Sequence, residues 1–168
     1  MGFKKSSDII TVSGRVEETG ANTFTEGEIN LSLDALNNEI FVILSVDTAL
    51  AAPDGIAATD TSTLFQLTAT SQTAITGLEN NNVIVRSERL SQGAGFVDNA
   101  NTWEHMAGET PDANLDYIAI VATPDMFAQI EGVNNGNPKA CAFRIWGYRA
   151  RADSATYAAL VQSSVLSS

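Results

Sequence analysis

The segment Ala140-Cys141-Ala142-Phe143-Arg144-Ile145-Trp146-Gly147-Tyr148-Arg149-Ala150-Arg151 carries a clear strand signal. Cys141, Phe143 and Ile145 alternate with Ala142, Arg144 and Trp146, a period of two that marks a strand with one face buried. A helix would spread the same apolar positions around its circumference. Gly147 breaks the alternation, which signals a β-bulge or a close approach of another backbone. Further strands are expected over residues 9–16, 23–33, 39–46, 63–70, 83–90 and 115–123. Phe41-Val42-Ile43-Leu44 is instead a continuous apolar run, the pattern of a strand covered on both faces. Asn80-Asn81-Asn82 and Asn134-Asn135-Gly136-Asn137-Pro138 each precede a strand and suit turns with positive φ. Residues 51–61 and 91–112 are the long connections. The second carries Trp103, His105 and Pro111 and reads as an ordered loop.

Two short helices are expected. In the first, Thr123, Pro124 and Asp125 read as cap, first-turn proline and first-turn acid, and Gly132 after Ile130 reads as the stop. The second covers residues 153–168, with Asp153 or Ser154 as cap. Its stripe of Tyr157, Leu160, Val161 and Val165 must be buried against something. Seven short strands with irregular connections and little helix predict an all-β chain, a two-sheet antiparallel sandwich. Long mid-chain loops and the lack of a Cys…Trp…Cys pattern favour the jelly-roll type over an immunoglobulin-like sandwich. A length of 168 residues fits a single sandwich domain over 1–168, with residues 1–8 as an N-terminal arm.

Hydrophobic residues make up 44% of the chain and charged residues 17%, a globular balance and not a disordered one. No apolar run is long enough to span a membrane. Lys4 and Lys5 are not followed by an apolar stretch, so no secretory signal is read. Nine basic residues against twenty acidic ones give a net charge of −11. Coating nucleic acid needs clustered Lys and Arg, so no direct nucleic-acid contact is expected. Residues 132–152 run against this balance, holding Lys139, Arg144, Arg149 and Arg151 with no acid. These cations either pair with carboxylates elsewhere or form a strip that faces a partner.

The chemistry of a catalytic centre is missing. Cys141 is the sole cysteine, so no disulfide closes within the chain, and its alternating segment reads it as a buried small hydrophobe. His105, the sole histidine, stands beside Glu104 without the spacing of a zinc site. There is no Gly-x-Ser-x-Gly elbow, and Gly93-Ala94-Gly95 lacks the glycine and lysine of a phosphate loop. Glu17-Glu18 and Glu26/Glu28 are paired acids of the kind that hold Ca²⁺ or cleave glycosides, and they read as a solvated strand face. Asp112 and Asp116 bracket a turn. Asn30-Leu31-Ser32 matches a glycosylation sequon but falls inside an expected strand. No enzyme activity, metal or cofactor is expected. Trp103, Trp146 and Tyr148 read as core or subunit packing, with a sugar-stacking platform as the alternative.

From Leu115-Asp116-Tyr117-Ile118-Ala119-Ile120-Val121-Ala122-Thr123-Pro124-Asp125-Met126-Phe127 through Phe143 to Ala152, the order of elements resembles viral single jelly-roll capsid proteins. The basic pair Lys4-Lys5 is similar to the arm of that family, which is longer and richer in Arg. The resemblance implies a structural virion protein, a self-assembling capsid or shell-decoration subunit located in the virion. It carries over no catalytic residue. Its partners would be further copies of itself and other virion proteins. The −11 charge departs from a shell that packs genome directly, and implies an internal membrane or a separate core protein in between. Candidate subunit-interface residues are Lys4, Lys5, Arg144, Trp146, Tyr148, Arg149, Arg151, Tyr157, Leu160 and Val161. A carbohydrate-binding sandwich and a non-viral surface-layer or filament subunit remain alternative readings.

Overall fold

A computed structural model describes residues 2–98, 100–107 and 115–166. In chain order the strands are β1 (Phe3–Lys5), β2 (Ile10–Glu17), β3 (Thr25–Asn30), β4 (Glu39–Leu50), β5 (Thr61–Thr68) and β6 (Val83–Gln92). They continue with β7 (Asn101–His105), β8 (Ala119–Val121), β9 (Asp125–Val133) and β10 (Ala140–Ala152), and helix α1 (Ser154–Leu166) follows. All seven expected strands are present, with shifted ends.

The strands form two antiparallel sheets of five. One has the order β1-β10-β4-β8, and β2 pairs with the same edge of β10 as β1 does, further along. The other has the order β3-β9-β5-β6-β7. Setting β1 and β7 aside, the chain crosses from one sheet to the other at every step except the β5–β6 hairpin. That winding makes the sandwich a jelly roll.

The bulge expected at Gly147 is there. Trp146 pairs with Ser45 and Gly147 with Ile43, which leaves Leu44 as an extra residue in β4. The extra residue reverses the parity of β4. Phe41 and Ile43 face the inter-sheet core before it, and Val46 and Leu50 face it afterwards. Ile40 and Val42 point to the other side. The apolar run at 41–44 is therefore one strand serving two cores. Gly147 is required at this crossing, since a Cβ there would stand 2.4 Å from the Val42 carbonyl oxygen.

The inter-sheet core joins Phe41, Ile43, Phe143 and Ile145 of the first sheet to Phe65, Leu67, Met126 and Ile130 of the second. The Phe65 and Phe143 rings stack at 5.8 Å. A second, smaller core lies on the outer face of the first sheet. There α1 lays Tyr157, Leu160 and Val161 over Ile40, Val42, Ala150 and Ala152, with Phe3 of β1 alongside. Asp153 is the cap, its carboxylate accepting the Thr156 N–H at 2.8 Å. Val165 falls off the covered stripe and is 62% exposed.

Three expectations need correction. The helix expected after Thr123 is strand β9. Met126, Ala128 and Ile130 alternate into the core, a period-two signal stronger than the cap residues beside it. Thr123 serves a turn instead, its hydroxyl donating to the Asp125 carbonyl at 3.1 Å. The loop expected over 91–112 contains β7, paired with β6. The arm contains β1, paired with β10. Pro111 and Asp112 lie outside the described residues. Asn134 takes the expected positive φ of 56°, whereas Asn80 builds its turn by accepting the Asn82 N–H at 2.9 Å.

Candidate functional site

Helix α1 and β1 cover one half of the outer face of the first sheet. The bulge at Leu44 marks the border, and beyond it the face of β2, β10 and β4 is bare. Trp146 apart, the side chains that alternate outward there are short or charged. Arg144 lies over the Trp146 ring at 5.9 Å and donates from Nε to the Ser13 hydroxyl at 3.4 Å. Arg15 pairs with Glu17 at 3.0 Å. Asp47, cross-strand neighbour of Arg144, is exposed and forms no ion pair among the described residues. A shallow hollow of about 350 Å³ opens beside them, between Ser13, Asp47, Ala49, Ala142 and Arg144.

The structure separates the residues that the sequence placed in one basic strip. Arg144 and Arg151 are exposed. Lys139 is buried and paired with Asp54. Arg149 pairs with Glu39 at 2.9 Å and donates to the Leu31 and Ser32 carbonyls at 2.7 and 3.1 Å, which ties β10 to the β3–β4 connection. Lys4 is exposed, and Lys5 sits over the Tyr148 ring at 5.1 Å. Tyr157, Leu160 and Val161 rest half-buried on their own sheet. Trp103 belongs to the other sheet and is 54% exposed. It pairs across with Leu90, while alternation puts the Arg89–Glu104 ion pair, at 3.1 Å, on the opposite face. Trp103 and Trp146 therefore form no common platform for a sugar ring.

Buried polar latches at one end of the sandwich are the feature that the sequence did not disclose. Glu18 is buried, and its carboxylate accepts three backbone N–H groups: Thr23 at 3.0 Å, Gly132 at 2.6 Å and Lys139 at 2.8 Å. Asp54 accepts the Gly136 and Asn137 N–H groups at 2.8 and 3.1 Å, in addition to the Lys139 ammonium. Asn135 bonds to both loops, exchanging bonds with Asn22 and accepting the Asp54 N–H at 2.8 Å, and it donates to the Ser62 carbonyl at 2.8 Å. Together they bind the 134–139 turn to the loops after β2 and β4. Glu26 is likewise engaged, accepting from Ser71, Gln72 and Gln129 at 2.6, 2.8 and 2.7 Å. The reading of these acids as a solvated face holds for Glu17 and Glu28 and fails for Glu18 and Glu26.

Hydrogen bonding to Lys139, together with the two backbone donors, holds the Asp54 carboxyl below its usual value of 3.8. A depressed folded-state pKa contributes stability above the unfolded value, and that contribution is lost as pH falls through the folded value. Acid unfolding below about pH 4 is thus expected to be shallower in Asp54→Asn than in the parent. Equal acid limbs in the two stability profiles would refute it.

Cys141 is fully buried, and desolvation pushes its thiol up to about 12. The thiolate is the reactive form, so the native protein is expected to react with a thiol reagent orders of magnitude more slowly than the denatured one. Comparable rates would show an open thiol. Among the described residues, no three His, Cys, Asp or Glu side chains converge as a metal site.

No protein-family model matches the chain, and no curated protein matches it. Solved structures do. Trichodysplasia spinulosa-associated polyomavirus VP1 is 9% identical, with a TM-score of 0.41 over 91% of this chain and 99% of its own. A chain from Desmodium yellow mottle tymovirus is 13% identical, with a TM-score of 0.30 over 87% of each.

Proposed function

We propose that this chain is a structural subunit that self-assembles into a shell, as a capsid or decoration protein of a virion. Helix α1 carries the reading. A helix lying on a protein surface ordinarily turns a charged or polar face to water. From Ser154 to Leu166 α1 has no charged residue, and its uncovered side shows Ala155, Ala158 and Ala159 beside the uncharged Ser154, Gln162 and Ser163, with Val165 and Leu166 62% and 76% exposed. On a molecule of charge −11 such a face is where like-charged copies approach with least repulsion. The absence of Lys and Arg on it gives a nucleic acid nothing to bind. Lys4, Lys5 and Arg151 border the covered half of the same sheet and are the cations available to carboxylates of neighbouring virion proteins or to an internal membrane.

Light scattering over a range of protein and salt concentrations tests this. Salt screens the net charge. The mass is therefore expected to rise with protein concentration and to rise further with ionic strength. A chain that stays monomeric throughout overturns the proposal.

A further inference from the structure

We infer that the bare face of β2, β10 and β4 is a two-fold contact with a second copy of this chain, Trp146 of each filling the hollow of the other. The inference rests on the shell reading and names one of its contacts.

Three observations support it. The first is shape. Trp146 stands half-exposed on β10, and the hollow lies on the same face over Ala142 and Ala49, four residues away along the strand. Contacts around a two-fold axis use one patch on both copies, so knob and hollow must lie together on it. An axis at the level of Arg144, midway between Ala142 and Trp146, brings each knob over the other hollow. Between Ala49, Ala142 and Ser13, with Asp47 and Arg144 at its side, the open hollow offers about 350 Å³ to an indole, the type of anchor that dominates interface energies.

The second is charge. Outward side chains of this face include Arg15 and Arg144 against Glu17 and Asp47, a balanced set on a chain of −11. Arg15 and Glu17 satisfy each other. Arg144 and Asp47 sit side by side without forming an ion pair, the guanidinium turned to Trp146 and Ser13. That axis sets like over like at this level, and each guanidinium leans sideways by one strand spacing, about 4.8 Å, to reach the Asp47 carboxylate of the second copy. A basic or an acidic partner would satisfy only one of Arg144 and Asp47.

The third is position. The face is the part of its sheet that α1 and β1 leave uncovered. Three strands about 4.8 Å apart, over eight residues of about 3.3 Å rise, give roughly 380 Å² per copy. That is a weak contact, suited to a shell that is held by many.

Trp103→Phe leaves Trp146 as the only indole and makes it the reporter. Its emission is expected to shift to shorter wavelength as the protein is concentrated, in step with the rise in mass. Arg144→Asp and Asp47→Arg are each expected to weaken association at least tenfold. An equimolar mixture of the two is expected to restore it, since opposite charges then face each other. Ala142→Arg, which fills the hollow, is expected to abolish the shift with the unfolding midpoint retained. Association with unmoved Trp146 emission, or with charge variants that associate as the parent does, overturns this contact and leaves the shell reading standing. A chain that never associates overturns both.

Discussion

Gly147→Ala is expected to cost about 3 kcal/mol or more, the upper range for forcing atoms into a packed interior. The new methyl would meet the Val42 carbonyl oxygen at 2.4 Å and the Phe41 ring at 2.7 Å, and backbone cannot swing aside as a side chain can. The strands must part, and they part where β4 changes the face it presents to the core. Both cores are therefore strained by one substitution. For a chain of this length the loss corresponds to a fall in Tm of roughly 6–12 °C. Gly55→Ala is the control, because nothing lies within 4 Å of its Cβ position, and its Tm should hold. Thermal denaturation of the pair decides the matter. A Gly147→Ala protein as stable as the parent would mean that the bulge is not where the register places it.

Glu18→Ala is expected to cost about 3 kcal/mol by a different route. Hydrogen bonds to a charged acceptor are each worth about 1.5–3 kcal/mol. Three N–H groups would lose theirs together, and water entering the vacated space would recover part of the loss. Glu18→Gln keeps one acceptor oxygen and is expected to fall between parent and alanine. Amide exchange at Gly132 and Lys139 should accelerate far more than exchange in β5. A loss below about 1 kcal/mol in Glu18→Ala, with unchanged exchange at those amides, would show that the turn holds without its carboxylate.

Strands with one wet face were legible because alternation survives in them. Phe143, Arg144 and Ile145 announce β10 from three letters. β9 carried the same alternation, but its outer side holds an apolar Phe127 and a buried Gln129 bonded to Glu26 and Thr68, so its second face was not marked as wet and the helix signals at Thr123-Pro124-Asp125 prevailed. β7 and β1 are short and mostly exposed, and neither hydropathy nor turn residues distinguish such segments from loop. The acids were illegible for another reason. Glu17 and Glu18 are neighbours in sequence with the same chemistry, yet one meets solvent and the other meets backbone from residues more than a hundred positions away. No local pattern encodes that difference. The half-exposed Trp146 could be read from its place in the alternation. The hollow beside it could not, because its lining comes from three strands far apart in the sequence.

The placement of β10 governs how the molecule comes into being. β1, β2 and β4 each find their partner on β10, so Phe3 has nowhere to pair until Ala152 has been synthesised. During translation the first half of that sheet consists of strands with open edges, which invite pairing with other nascent chains. Closure of such distant loops before any contact rewards them makes folding slow. Local helix formation cannot hasten it, since α1 comes after β10 and its docking surface is completed by β10 itself. That sheet can thus close only once β10 has been made, and until then its open-edged strands have to be kept from those of other unfinished chains.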